Sequence, residues 1–195
     1  WDNGYGISTS NDPSTSATSN NMIFYTLPEL TDGVALTASY TPRGAGSIDS
    51  SSAYGIAYTG IEGLVVNFAQ GENNSKVAAT ADATTVKLSY AYGAVTVGFS
   101  ETEFDSQTAS KDQEVQSMNI SYTVTEDISI SYGEDEISKD SVPGDKDIKV
   151  NAISGSYTTG GMTLGVMAGG VENNAHGTSA AQDKDMWHIT ASFAF

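Results

Sequence analysis

The feature that most restricts this chain is a strict alternation of large apolar residues with small or polar ones, repeated in short runs. In Val86-Lys87-Leu88-Ser89-Tyr90-Ala91-Tyr92 the even positions are bulky and the odd ones are not, and Val95-Thr96-Val97-Gly98-Phe99-Ser100 keeps the same rhythm. Met118-Asn119-Ile120-Ser121-Tyr122 and Ile128-Ser129-Ile130-Ser131-Tyr132 repeat it, as do the stripes Val34, Leu36, Ala38, Tyr40 and Leu64, Val66, Phe68. A period of two sends successive side chains to opposite faces of an extended strand, whereas a helix needs apolar residues every three or four positions. Helical spacing is nearly absent. The chain reads as all-β.

The connections alternate as well. Short links, most of them with glycine, follow Tyr25, Tyr58, Tyr92, Tyr122 and Tyr157, while longer polar segments occupy 41–52, 71–83, 101–114, 133–147 and 171–184 and carry most of the acidic charge. Such an order predicts consecutive hairpins, with tight turns at one end and long loops at the other. The expected strands are 21–27, 34–40, 53–58, 64–70, 84–92, 94–100, 115–123, 128–133, 147–157, 162–169 and 185–195, about eleven in all. Residues 1–8 would end a twelfth strand, with 9–20 as its loop. Tyr25, Tyr58, Tyr92, Tyr122 and Tyr157 recur about every 30–35 residues and Phe195 closes the series, the mark of an internal repeat. These residues are expected to form an aromatic girdle at the short-turn rim.

Two environments can satisfy the bulky stripe: a core shared by packed sheets, or lipid around a closed sheet whose small and polar residues enclose water. A soluble sheet would carry many Lys and Glu on its wet face. Here the residues opposite the stripe are Ser, Thr, Asn, Gly and Ala, and Lys87 is the clearest mid-strand charge. That distribution favours an up-and-down antiparallel transmembrane β-barrel, in which closure pairs the backbone groups internally. Lys and Arg total 8 against 24 Asp and Glu, a net charge of −16, which argues against a nucleic-acid partner because counterion release needs a basic surface. Cysteine is absent, so there are no disulfides, thiolate metal sites or cysteine nucleophiles. No apolar run approaches the roughly 18 residues of a spanning helix. The 2 Trp, 10 Tyr and 6 Phe exceed what an acidic disordered chain carries. The chain opens on Trp1-Asp2-Asn3-Gly4-Tyr5, with no signal-peptide pattern, and is expected to be cut from something longer.

The C-terminal run Met186-Trp187-His188-Ile189-Thr190-Ala191-Ser192-Phe193-Ala194-Phe195 puts Trp187, Ile189, Ala191, Phe193 and Phe195 on one face and ends on an aromatic. It resembles the terminal strand of Gram-negative outer-membrane proteins, which the barrel-assembly machinery recognises. With Asn21-Met22-Ile23-Phe24-Tyr25-Thr26-Leu27-Pro28, Gly33-Val34-Ala35-Leu36-Thr37-Ala38-Ser39-Tyr40 and Ile153-Ser154-Gly155-Ser156-Tyr157-Thr158-Thr159-Gly160-Gly161-Met162-Thr163, the chain resembles the general porins of alphaproteobacteria over essentially its whole length. The resemblance implies a 16-stranded barrel in outer-membrane lipid, usually a homotrimer, that passes small hydrophilic solutes without a cofactor and without chemistry. On this reading the chain is one barrel domain over 1–195 and a C-terminal portion with several N-terminal strands missing. The family's pore-narrowing loop would fall in the missing part.

The residues expected to line the pore are Lys87, Ser89, Thr96, Asn119, Ser121, Ser129, Ser131, His188 and Thr190. Acidic loops should concentrate cations at the mouth. No GxSxG elbow, P-loop or HExxH occurs, and neither His176 nor His188 lies in a ligand-spaced cluster, so no catalytic or metal site is expected. Acidic runs such as Glu134-Asp135-Glu136 read as solvated charge, with weak Ca²⁺ or Mg²⁺ bridging as an alternative. Two features fit poorly. Strands of seven to nine residues, tilted about 40°, span roughly 18–23 Å against an apolar band of about 25 Å. Ile148 and Val150 are out of phase with Ile153 and Tyr157, which a bulge would repair. The rival readings are a soluble or surface β-protein (an adhesin or carbohydrate-binding module) using its long acidic loops, and a structural barrel with a plugged interior. If the Leu64/Val66/Phe68 and Val86/Leu88/Tyr90 stripes point outward the channel stands, and if they meet in a packed interior the soluble rival does.

Overall fold

The alternating runs form strands, and each strand pairs only with its neighbours in sequence. The structure is a computed structural model that describes residues 22–28, 31–43, 50–73, 81–106, 112–139, 144, 146–177, 179 and 182–194. Its strands are β1 (Ile23–Thr26), β2 (Val34–Thr41), β3 (Ser51–Tyr58), β4 (Leu64–Asn73), β5 (Ala81–Tyr92), β6 (Val95–Ser106), β7 (Gln113–Thr123), β8 (Ile128–Lys139), β9 (Ile148–Thr159), β10 (Met162–Glu172) and β11 (Lys184–Phe193). Together they make one 11-stranded antiparallel sheet in the order β1 to β11. This is the up-and-down meander that the alternating links predict. The expected twelfth strand (1–8), its loop (9–20) and Phe195 lie outside the described residues.

Glycine makes the tight turns possible. Gly33, Gly63, Gly93, Gly160 and Gly161 all have positive φ, a conformation that costs other residues a clash with their own Cβ. Gly63 answers a second demand, since a Cβ there would stand 2.2 Å from the Ala91 carbonyl oxygen on β5.

The strands run further than the sequence reading placed them. β6 continues through Glu101-Thr102-Glu103-Phe104-Asp105-Ser106, β8 through Glu134-Asp135-Glu136-Ile137-Ser138-Lys139, and β7 begins at Gln113. Much of the polar segments 101–114 and 133–147 is therefore sheet rather than loop. The period of two persists in these extensions, but the two faces exchange their chemistry. Glu101, Glu103 and Asp105 continue the face of Val95, Val97 and Phe99, while Thr102 and Phe104 continue the face of Thr96 and Ser100.

The exchange also explains β9. Ile148 and Val150 share a buried cluster with Ile137 and Val171, and Val115 packs against it. Ile137 and Val150 are each only 1 % exposed. Register carries the cluster across four strands, with Val115 opposite Ile137, Ile137 opposite Ile148, and Val150 opposite Val171. Both ladders of β9 run unbroken, so no bulge is needed to reconcile the two phases. The residues are out of phase because the apolar side changes from one face to the other partway along the strand.

Beyond β10 the chain turns back over the start of β9. Asn173 and His176 take the left-handed conformation, at φ 54° and 58°. The Asn173 side-chain amide donates to the Asp147 carbonyl at 3.0 Å, and the Lys146 amide donates to the His176 carbonyl at 3.2 Å.

Candidate functional site: the two faces of the strand wall

Residues directly opposed in an antiparallel ladder share a face, so the register sorts every side chain. One row joins Ala91, Thr96, Ser121, Ser131, Ser154, Met167 and His188. A second joins Ser89, Gly98, Asn119 and Gly133, and a third Ser129, Ser156, Gly165 and Thr190. A fourth runs Lys87, Ser100, Ser117, Asp135, Val150, Val171 and Lys184. All the residues expected to line a pore thus fall on one face. It is the more sheltered face: Asn119, Ser121, Ser129 and Ser131 are half-buried, whereas Ile120, Tyr122, Ile128, Ile130 and Tyr132 beside them are exposed. A curved sheet shelters its concave side, so the hydroxyl rows line the inside of the curve.

Hydroxyls pair across this lining. Ser129 and Ser156 lie 2.8 Å apart, Ser131 and Ser154 2.6 Å, and Thr85 and Thr102 3.0 Å. Each hydroxyl offers one donor and two lone pairs, so the half-buried serine pairs keep acceptor capacity for water or solute, while Thr85 and Thr102 are buried and satisfy each other. Small residues make room for the polar ones. A Cβ on Gly165 would come within 2.6 Å of Thr190 Oγ1, and one on Gly98 within 2.8 Å of the Asn119 amide.

The convex face holds the bulky stripes. Val86, Leu88 and Tyr90 are 37 %, 39 % and 39 % exposed, and Leu64, Val66 and Phe68 stand half-buried opposite them in register. The stripes do not meet in an interior, as a soluble sandwich would require. At the short-turn end, Tyr92 and Tyr122 both pair with Val95, Tyr157 pairs with Ile128, and Tyr58 pairs with Val34. Tyr25 pairs with Ala38 and stands one outward step further from its turn than Leu27, whose amide bonds Leu36. Trp187, Ile189, Ala191 and Phe193 of β11 project from this face and are exposed.

Sequence reasoning missed a second set of exposed aromatics, Tyr40, Tyr54, Tyr132 and Trp187, each the last large residue of its own apolar stripe away from the short turn. The Tyr54 hydroxyl donates to Gln70 and the Tyr132 hydroxyl to Glu134, so each ring rests on the apolar stripe and reaches toward the polar residues beyond. Amphipathic rings take this position at the border between hydrocarbon and water. The available signal was that each of these stripes ends on an aromatic just before turning polar or acidic.

Charge is divided between the faces. Register places every strand carboxylate except Asp135 on the convex face, and every strand lysine except Lys149 on the concave one. Lys149 is held by Glu136, Nζ to Oε2 at 3.0 Å. The inward lysines are Lys87, Lys139 and Lys184. His176 is buried in the turn after β10, with Nδ1 2.9 Å from the Lys146 carbonyl oxygen. No group of His and carboxylate side chains among the described residues is placed to hold a metal ion.

A hydroxyl-lined concavity backed by an exposed apolar belt on a continuous antiparallel meander defines a class, the outer-membrane β-barrel proteins. Residues 1–141 match the Gram-negative porin family, and the chain belongs to that family, whose members are channels rather than enzymes. Among solved structures it is similar to a porin refined at 1.8 Å resolution, with 14% identity and a TM-score of 0.66, covering 89% of this chain and 61% of that one. It is also similar to a loop L8 deletion mutant of OmpT, an outer membrane protein of Vibrio cholerae, with 14% identity and a TM-score of 0.63, covering 88% and 62%. In-vitro folded OmpT matches with 13% identity and a TM-score of 0.56, covering 89% and 59%. These likenesses show the fold, and the chain spans about three fifths of the length of each structure. Comparison with curated protein sequences finds no match.

Proposed function

We propose that the chain forms part of the wall of a passive diffusion channel in the outer membrane, with Lys87, Ser89, Thr96, Asn119, Ser121, Ser129, Ser131, His188 and Thr190 facing the aqueous path. The observation that carries this reading is the sorting of these residues onto the one sheltered face of a continuous sheet while the bulky stripes stand exposed behind them. Rows of hydroxyls hydrate small polar solutes without binding any one of them tightly, so passage depends on size and field. The outward residues Trp187, Ile189, Ala191 and Phe193, with Phe195 beyond, would serve as the strand read by the barrel-assembly machinery, and a homotrimer is the expected assembly. The cation preference expected from the acidic charge rests on those groups facing the path. The strand carboxylates on the convex face give it no support. Liposome swelling tests the function directly. Vesicles holding the protein should admit small neutral sugars at rates that fall steeply with solute size, and vesicles that stay impermeable to all of them would overturn the channel.

A further inference from the structure

The segregation of charge across the sheet bears on which solutes the wall favours, and this inference rests on the channel reading above. Lys87 stands mid-strand on β5, exposed on the concave face between Asn67 and Ser100. It has no ion-pair partner among the described residues. Lys184 closes the same register row on β11, at roughly 29 Å along the sheet for six strand spacings of about 4.8 Å. Between them lies Asp135, the one strand carboxylate on this face among the described residues, and it is only 4 % exposed. The path therefore meets exposed ammonium groups on either side of a carboxylate withdrawn from water.

The convex carboxylates act weakly on that path. Exposed carboxylates on the convex face draw their counterions from the electrolyte on their own side, within a Debye length of about 8 Å at physiological salt, so little of their field is left to act across the wall. Lysines on the near side are not screened in this way. Local sign, rather than the net charge of −16, sets the field a permeant ion meets.

We propose that Lys87 is a selectivity-determining residue of the channel and that, with Lys184, it biases this stretch of wall toward small anions. Planar-bilayer recordings of the protein under a KCl gradient, with chloride as the probe anion, test it. Replacing Lys87 by Glu should move the reversal potential toward cation selectivity, with the chloride-over-potassium permeability ratio falling about two- to threefold near 0.1 M salt, and the shift should shrink toward 1 M as screening tightens to about 3 Å. Lys87→Gln should give a smaller shift in the same direction. Glu103→Gln, on the convex face, should leave the reversal potential where it is. A conducting channel whose reversal potential ignores both Lys87 substitutions, or follows Glu103→Gln instead, overturns this inference and leaves the channel standing. Absence of any conductance in the unaltered protein overturns both.

Discussion

Single glycines decide whether the turns can close. Gly63 and Gly93 both hold positive φ, at 77° and 58°, yet their surroundings differ. A Cβ on Gly93 meets nothing within 4 Å, whereas one on Gly63 strikes the Ala91 carbonyl at 2.2 Å. Gly93→Ala should cost only the left-handed penalty of about 1 kcal/mol. Gly63→Ala adds a backbone clash and should cost about 3 kcal/mol in all. Urea unfolding midpoints of the two variants measured side by side check this, and equal midpoints would mean that β5 can draw back from the turn at no cost. The positions of these glycines were legible in the sequence as link residues. The difference between them was not, because it comes from a neighbouring strand.

Strands, taken as elements, were legible where one face was oily and illegible where the faces traded places. Val95-Thr96-Val97-Gly98-Phe99 announces a strand to any reading tuned to a lipid-facing stripe. Glu101-Thr102-Glu103-Phe104-Asp105 keeps the same period but has carboxylates where that reading looks for bulk, and so it passed for loop. The same blindness made Ile148 and Val150 look misplaced. They contribute to a cluster assembled from β7, β8, β9 and β10, and a contact made across four strands leaves no local trace. The face of Ser129, Ser131 and Asn119 was easier to assign, since it needed only the parity of their strand. The cluster makes a prediction at this scale. Ile137→Ala removes a fully buried side chain and should destabilise the sheet by about 2–5 kcal/mol. Ile153→Ala on the exposed face should cost less than about 1 kcal/mol in detergent, where the lost contact is with micelle hydrocarbon. Thermal unfolding in one detergent compares the pair.

For the whole molecule, the two faces amount to two solvents. From Tyr92 up to Val86 the apolar stripe on β5 rises roughly 20 Å along the strand before polar and acidic residues follow, so the hydrocarbon-facing belt is shallow. The sheet above it is acidic outside and apolar within. Leu88 and Ser89 are adjacent in sequence and face opposite solvents, which gives a direct comparison. Leu88→Lys puts an ammonium group in the belt and should cost about 2–4 kcal/mol of folding free energy in lipid vesicles, while Ser89→Lys, facing the aqueous side, should cost close to nothing. Similar costs for the two would mean that both sides of the wall meet the same medium.

Because each strand bonds only to the one before it and the one after it, the wall is modular in units of one hairpin. Excising two consecutive strands with their turn brings together edges of the same polarity and the same in-out parity, so the remainder keeps its register. Circumference could therefore change during evolution, or by engineering, in increments of a single duplication or deletion, with the lining pattern copied intact each time.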